Sequence, residues 1–548
     1  MKNTFLTLIM LFYGLFAYSN SIYNSIQIIK TDNSQITYPI AWSDSVISNN
    51  SNQTLFLSIP TSEIKEIIYP YIIAENEINL SANDKKSFFN QLFSVSLKQN
   101  KNYQLNCDYT IEFNENSATF ILSYLTDFTA IVPEFNCFGA YIFVNGKLLK
   151  NGEESIDFSN PAEIKIVSYS GDIQTYSLSI KNSALPLVTL QSTENENEEI
   201  TTEWKENFMF VATNANGKKD CNGLSEFRGR GNNFAPDKKN RYGIKLEEKI
   251  KILDMPKGKR WITLPCDNDK SLLRAELGFY IYKNFLGSCW TPNYRACELI
   301  INNTHKGSYL LTEQIRITDE RINSGLILSI ENDADDDDDS FFSSISKSLF
   351  VFQDPDAGAI GTKMIRTQVL IDKFESLLYS DNSNDNNKAI ELINKESFID
   401  WMIFNEIAKN ENAFSKDCYL NISTENIISM GPIWDMSDYF GLKSNDSHED
   451  FVVINHGWAK QLLKDMSFST SLHQRFQVIY NQKNAILNWI DEEAKKKLPS
   501  AFSNELLHNN FDEKPNNYSS FAEKYLEEVE QLKLWIDARL EWLNTALR

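Results

Sequence analysis

"SEFRGRGNNFAPDKKNRYGIKL", Ser225 to Leu246, sets three arginines, three glycines and three lysines close together in a chain of 548 residues with a formal net charge of -21. In Arg228-Gly229-Arg230-Gly231, glycine brings backbone N–H groups close to a ligand, and arginine supplies forked donors for phosphate oxygens. The combination suits the phosphates of a nucleotide. A surface turn whose arginines pair with acidic surroundings has the same letters, because the pattern is only G-x-G. Phe234 stands where a full G-x-G-x-x-G has its last glycine. Lys245 lies in the alternating run Tyr242 to Leu246, sharing a face with Gly243 and opposing Ile244 and Leu246. Such a lysine reaches a phosphate and needs a carboxylate to hold it. Glu313, closing the apolar strand of "GSYLLTEQIRI", is the expected partner.

Outward from this stretch the chain changes character several times. Residues 1–19, MKNTFLTLIMLFYGLFAYS, carry an early Lys2, an apolar run and a small-x-small ending, the pattern of a secretory signal peptide. Export to the periplasm, the cell surface or the medium is expected, with no transmembrane segment, since no later run reaches about 18 apolar residues. The seven cysteines show no C-x-x-C and no Cys/His pairing, which argues against zinc; they read mainly as small buried side chains, although export permits disulfides. Without H-E-x-x-H and with five histidines, a zinc hydrolase or a Ser-His-Asp mechanism is disfavoured. The acidic balance argues against a nucleic-acid partner.

From 21 to about 185 short alternating runs such as "TLFLSI", "ATFILSYL" and "AEIKIVSYS" predict strands joined by turns. Thr54–Ser58 matches Thr119–Ser123, and Tyr109-x-Ile111 matches Tyr176-x-Leu178. Two small all-β sandwich modules, over 20–115 and 116–184, account for the duplication; chance likeness between strand-rich segments also produces such short matches. Residues 204–330 mix strands with one helix from about Lys270 to Leu286. After an acidic loop, Asp335 to Asp339, helical patterns predominate, return to strands around "CYLNIS", and close the chain from His456 onward. Trp401, Phe404 and Ile407, at helical spacing, read as core. The fold class is α+β: a two-part body over 185–450 with a helical C-terminal part over 451–548, preceded by the β modules.

Five further stretches, "FRGRGNNF", "KKNRYGIKL", "DMPKGKRWITLPCDNDKSLLRAELGFYI", "TPNYRACELIINNTHKGSYLLTEQIRI" and "GPIWDMSDYFG", follow one another in an order and spacing that resembles the CotH kinase family, named after a spore coat protein. The likeness runs from about Leu185 to Arg548 and resembles the secreted members. It implies an atypical protein-kinase-like fold that binds ATP with magnesium (Mg2+) and phosphorylates Ser or Thr of a protein substrate, here extracytoplasmic. By the same resemblance Arg228 and Arg230 fall in the phosphate-side turn, Lys245 at the strand lysine, Glu313 in the Thr-Glu-Gln motif, and Asp435 at the metal-binding aspartate. Read alone, Asp435 is equally a cap or a loop carboxylate.

Two positions depart from the family. Where members have an aspartate as the base, this chain reads Asn410-Glu411-Asn412, and the base position is Asn412. An amide takes no proton from a hydroxyl at neutral pH. Glu411 or Asp417 are the neighbouring carboxylates that could substitute, and Ser437, followed by Asp438, occupies the second metal-side position. The alternative function is therefore a catalytically weak or inactive pseudokinase, a scaffold for a surface partner.

Overall fold

The computed structural model describes residues 90–547 with short internal gaps, the longest at 509–517, and upstream of them only short stretches of strand. Apart from a strand at Phe5–Ile9, the expected signal peptide lies outside the described residues. Two compact units divide the chain, one over 1–120 with 126–181, the other over 121–125 with 182–548. The whole is a mixture of helix and strand with its helices gathered toward the C-terminus. No helix among the described residues is long and apolar enough to cross a membrane.

The first unit contains β1 (Gln91–Leu97), β2 (Tyr109–Glu112), β3 (Ser117–Leu122), β4 (Pro133–Phe138), β5 (Tyr141–Val144), β6 (Lys147–Leu148), β7 (Ala162–Val167) and β8 (Ile173–Asn182). They form two sheets, β2-β1-β4 and β6-β5-β7-β8-β3. Alternation is plain in β7, where Ala162, Ile164 and Ile166 are buried and Glu163 is exposed. The sheets do not divide at the expected 115/116 boundary. β1, upstream of it, pairs with β4, downstream, through Val95 opposite Phe135. Side-chain alternation identifies a strand but not its ladder partner, and here that partner lies beyond the expected boundary.

The second unit opens with a closed barrel of β9 (Leu187–Ser192), β10 (Lys205–Thr213), β11 (Lys219–Arg230), β12 (Arg241–Ile252), β13 (Met255–Pro265), β14 (Tyr294–Ile301) and β15 (Thr304–Glu313). Its order is β9-β10-β11-β12-β13-β15-β14, and β14 closes on β9 in parallel. Phe227, Tyr242, Ile244, Trp261 and Tyr309 fill the interior. Between β13 and β14 stands α1 (Arg274–Ile281), which runs into a π turn at Tyr282–Leu286. The helix starts at Arg274, later than the expected Lys270; the segment before it is tied by the buried Asp269 carboxylate, which accepts from the N–H groups of Leu273 and Arg274.

A second sheet follows, β17-β18-β16-β19-β20, built from β16 (Leu326–Glu331), β17 (Ser340–Phe342), β18 (Leu349–Asp354), β19 (Cys418–Ile422) and β20 (Ile428–Met430). Helices α2 (Lys363–Leu378), α3 (Ser383–Ile390) and α4 (Lys395–Ala408) come between β18 and β19. α4 is buried nearly throughout, so Trp401, Phe404 and Ile407 are core. The chain closes with α5 (Gly457–Leu462), α6 (Met466–Tyr480), α7 (Lys483–His508) and α8 (Tyr518–Ala546). Six cysteines are described and all are free thiols; burial pushes those of Cys266 and Cys289 up to about 12.

α7 is fastened to the barrel through a buried carboxylate. Glu298 on β14 accepts from the hydroxyls of Ser183 (3.0 Å) and Ser500, and its other oxygen lies 2.6 Å from His305 Nε2. Burial pushes its pKa up, but His305 and the two hydroxyls outweigh burial and hold it below the ordinary value. A carboxylate depressed on folding contributes stability above its unfolded pKa and loses it as pH falls through the folded value. Glu298→Ala should therefore cost about 3 kcal/mol at neutral pH, in line with breaking a buried charged network, and less at low pH. Urea denaturation at the two pH values checks this; an equal cost at both excludes the charge as the cause.

Candidate active site

The ladder β11-β12-β13-β15 sets the site, because strand register decides which side chains share a face. Opposite residues are Arg228 and Gly243, then Ile262, then Thr312. One row over, Arg230 opposes Arg241; on the other side, Glu226, Lys245 and Arg260 line up. With Tyr242, Ile244 and Trp261 committed to the barrel interior, this alternate set lies on the outer face. A cationic sheet surface results, in a chain that is acidic overall.

Two glycines there have distinct uses. A Cβ at Gly243 would meet Arg230 Cδ at 3.2 Å, Trp204 Cη2 at 3.3 Å and Arg228 Cγ at 3.5 Å, so the bare backbone makes room for these three side chains to converge. The Arg228 guanidinium stacks 4.6 Å from the Trp204 ring. Gly229, by contrast, serves packing: a Cβ there would lie 2.1 Å from the ring of Phe234. Phe234, standing where the longer motif has glycine, is itself the reason Gly229 is needed.

A cavity of about 140 Å³ lies against this face, lined from the barrel side by Arg230, Gly231, Arg241 and Ile262, and beyond it by Asp417, Tyr419 and Trp434. Asp417 immediately precedes β19, with a left-handed φ of 51°. Its N–H donates to Glu331 (3.2 Å). Asp435 follows β20; one oxygen accepts from Ser437 N–H (3.0 Å), the other from the Arg241 guanidinium (2.8 Å). Burial pushes the Asp417 carboxyl up; Arg241 opposes this, and Asp435 and Asp438 add to it. Burial lowers Arg230, and Arg228, Arg241 and Arg260 lower it further. Cations and carboxylates thus meet across one small cleft.

Among the residues expected from sequence, Arg230 lines the cavity, Asp435 is joined to it through Arg241, and Arg228 stands one row behind. The expected Lys245–Glu313 pair does not form. Trp261 pairs with both Ile244 and Glu313, so Glu313 is in line with Ile244 and faces opposite to Lys245. Buried Glu313 binds Arg321, whose Nε lies at 3.0 Å, and accepts from Asn293 N–H (2.9 Å). Lys245 is held instead by Glu226, its register partner, at 2.5 Å. Asn412 is exposed, its amide donating to the Tyr439 hydroxyl at 3.4 Å. Tyr439 in turn feels the charges of Asp438, Asp417 and Asp435. Glu411 is exposed and does not line the cavity. Arg241 went unremarked as a site residue, although its parity with Gly243 and Lys245 marks it for the same face.

Among the described residues no three His, Cys, Asp or Glu side chains stand close enough to hold a metal unaided. That donor set fits Mg2+, which takes one or two carboxylates and completes its shell with water and substrate phosphates. Asp435 and Asp417 are the carboxylates that could hold such an ion, beside a cationic face suited to phosphates. The family model described as CotH kinase protein matches residues 226–543. The chain belongs to the CotH kinase family. The matched span begins at Glu226, which holds Lys245, and runs into α8, so it contains the whole site. CotH membership makes this a kinase-like protein and implies ATP-dependent phosphoryl transfer. No curated relative matches the chain.

Proposed function

We propose that this CotH protein binds ATP with Mg2+ in the cleft between the barrel and the second sheet, in a two-part kinase-like fold, and transfers the γ-phosphoryl group to Ser or Thr of a protein outside the cytoplasm. The observation that supports this is the facing of Arg230 and Arg241 by Asp417 across one cavity, with Asp435 bonded to Arg241 beside it. Phosphoryl transfer needs little covalent help and much positioning and charge neutralisation. Arg230 and Arg241 are placed to take polyphosphate oxygens, with Arg228 and Lys245 extending the positive surface. Mg2+, when bound, neutralises charge between the phosphates; Asp435 and Asp417 are the residues to hold it. Asn412 lies toward the acceptor side. Export rests on residues 1–19, and the strands ahead of residue 184 are the part of the chain outside this chemistry.

Calorimetry with ATP and Mg2+ tests the reading. Arg230→Ala should weaken binding by about 1.5–3 kcal/mol, the range for a charged hydrogen-bonded contact. Lys245→Ala should cost less, because Glu226 already neutralises that ammonium. Asp435→Ala should remove the dependence on Mg2+. Wild-type protein that ignores millimolar ATP in the presence of Mg2+ defeats the proposal. Asn412 supports a second reading, in which the same site binds nucleotide without turning it over and the protein is a scaffold for a surface partner.

A further inference from the structure

The cleft is spanned by an ion pair. Arg241 comes from the barrel strand β12 and Asp435 from the segment after β20, and the guanidinium lies 2.8 Å from a carboxylate oxygen. Ser437 N–H occupies the other oxygen. Each Asp435 oxygen thus already has a donor, and the side chain is only 3% exposed, while the Arg241 side chain remains 36% exposed and has room to leave. The cavity beside the pair, at about 140 Å³, is well below the roughly 300–1,000 Å³ of ordinary small-molecule sites. A cation and a guanidinium compete for Asp435, since both are positive and the buried carboxylate leaves little room for the two side by side.

We infer that Arg241 is a positioning residue that stands in for the metal: it straps the empty cleft by holding Asp435, keeps a divalent cation off that carboxylate, and moves to the polyphosphate when both arrive. The inference rests on the proposed function, which makes Asp435 the metal-side carboxylate. Arg230 makes the exchange directional. It lies opposite Arg241 in the ladder, lines the same cavity, and makes no ion pair among the described residues, so an incoming anion finds one cation already waiting. Drawn to that anion, Arg241 relinquishes Asp435 as the metal takes its place. A strap of this kind also disfavours idle metal binding, since Asp435 becomes available only when phosphate competes for Arg241. The strap is open on one side: with Arg241 more than a third exposed, solvent screens the pair and can receive the departing guanidinium.

The test uses the full chain and Mn2+ as the probe, titrated by electron paramagnetic resonance without nucleotide. Arg241→Gln, and Arg241→Met, which keeps the apolar stem, should each bind Mn2+ about three- to tenfold more tightly than wild type. Arg241→Lys, which restores the charge, should return affinity to within about twofold of wild type. A purely structural ion pair would lower the unfolding midpoint in the variants without tightening the metal. Calorimetric ATP binding by wild type, run in parallel with Mg2+, separates the two claims. Nucleotide binding with Mn2+ affinity unmoved or weakened in both variants overturns the strap and leaves the proposed function standing. Tighter Mn2+ binding in the variants of a protein that ignores ATP supports the strap and defeats the function.

Discussion

Asn412→Asp should raise phosphoryl transfer to protein about ten- to ten-thousand-fold, the range depending on how far a dissociative transition state lessens the need for a base. The surroundings accept the change. Asn412 is exposed and now donates to the Tyr439 hydroxyl; a carboxylate in its place accepts a hydrogen bond from that same hydroxyl. Asp438, Asp417 and Asp435 already act on Tyr439, so the new carboxylate joins a cluster of acidic groups around that hydroxyl. ATP affinity should change little, because the substitution lies toward the acceptor. Transfer of labelled γ-phosphate to a panel of Ser- and Thr-containing proteins, with wild type and variant side by side, reads the effect. Substantial wild-type activity lost in Asp417→Asn, with Mg2+-dependent ATP binding retained and Asn412→Asp unchanged, would show that Asp417 supplies the base. A variant that binds ATP and remains inert would support the scaffold reading.

How these residues came to be readable, or not, follows from strand geometry. The parity of Tyr242, Gly243, Ile244 and Lys245 is written in the sequence, and it correctly divides barrel interior from outer face. Parity within one strand says nothing about register between strands. Lys245 and Glu313 each look like half of a pair, yet the ladder through Ile244, Trp261 and Glu313 sets Glu313 on the inner side. Glu226 was equally visible as a carboxylate, but its fitness depends on the pairing of β11 with β12, fixed over a connection of irregular chain. The N-terminal strands were legible in the same sense: β7 shows its alternation openly, whereas nothing local to β1 announces that it will pair with β4. Asp417 was visible only as a neighbour of Asn412. Its place on the cavity wall follows from its left-handed φ at the mouth of β19, which period-two reasoning does not reach.

The helical tail should prove inseparable from the rest of its unit, because α8 carries a buried charge that the centre of the fold requires. Arg539 donates through Nε to the Glu406 carbonyl (2.8 Å), through Nη1 to the carbonyls of His448 (2.8 Å) and Asp450 (2.7 Å), and through Nη2 to the Glu406 carboxylate (2.9 Å). The same carboxylate accepts from the N–H groups of Val453 and Ile454, each at 2.8 Å. Both side chains are sealed, at 0% and 2% exposure. Arg539→Ala therefore leaves an uncompensated carboxylate in the core and should cost about 3–5 kcal/mol. Glu406→Gln should cost somewhat less, since Arg539 keeps its bonds to three backbone carbonyls, but its charge loses its counter-ion and an NH2 replaces one accepting oxygen. Arg539→Met with Glu406→Leu should cost less than the sum of the two single losses, because neither charge is stranded. Urea denaturation followed by tryptophan emission measures these proteins together with the single variants Arg539→Met and Glu406→Leu; additive losses in that cycle would mean that the two charges are not coupled. The site should register the loss as well. Arg539 pins the backbone at 448 and 450, and Lys409 holds Ser447 O at 2.8 Å, next to the turn that presents Asn412. Arg539→Ala should therefore lower transfer by Asn412→Asp protein even in conditions where the fold survives, through a base position that is no longer held.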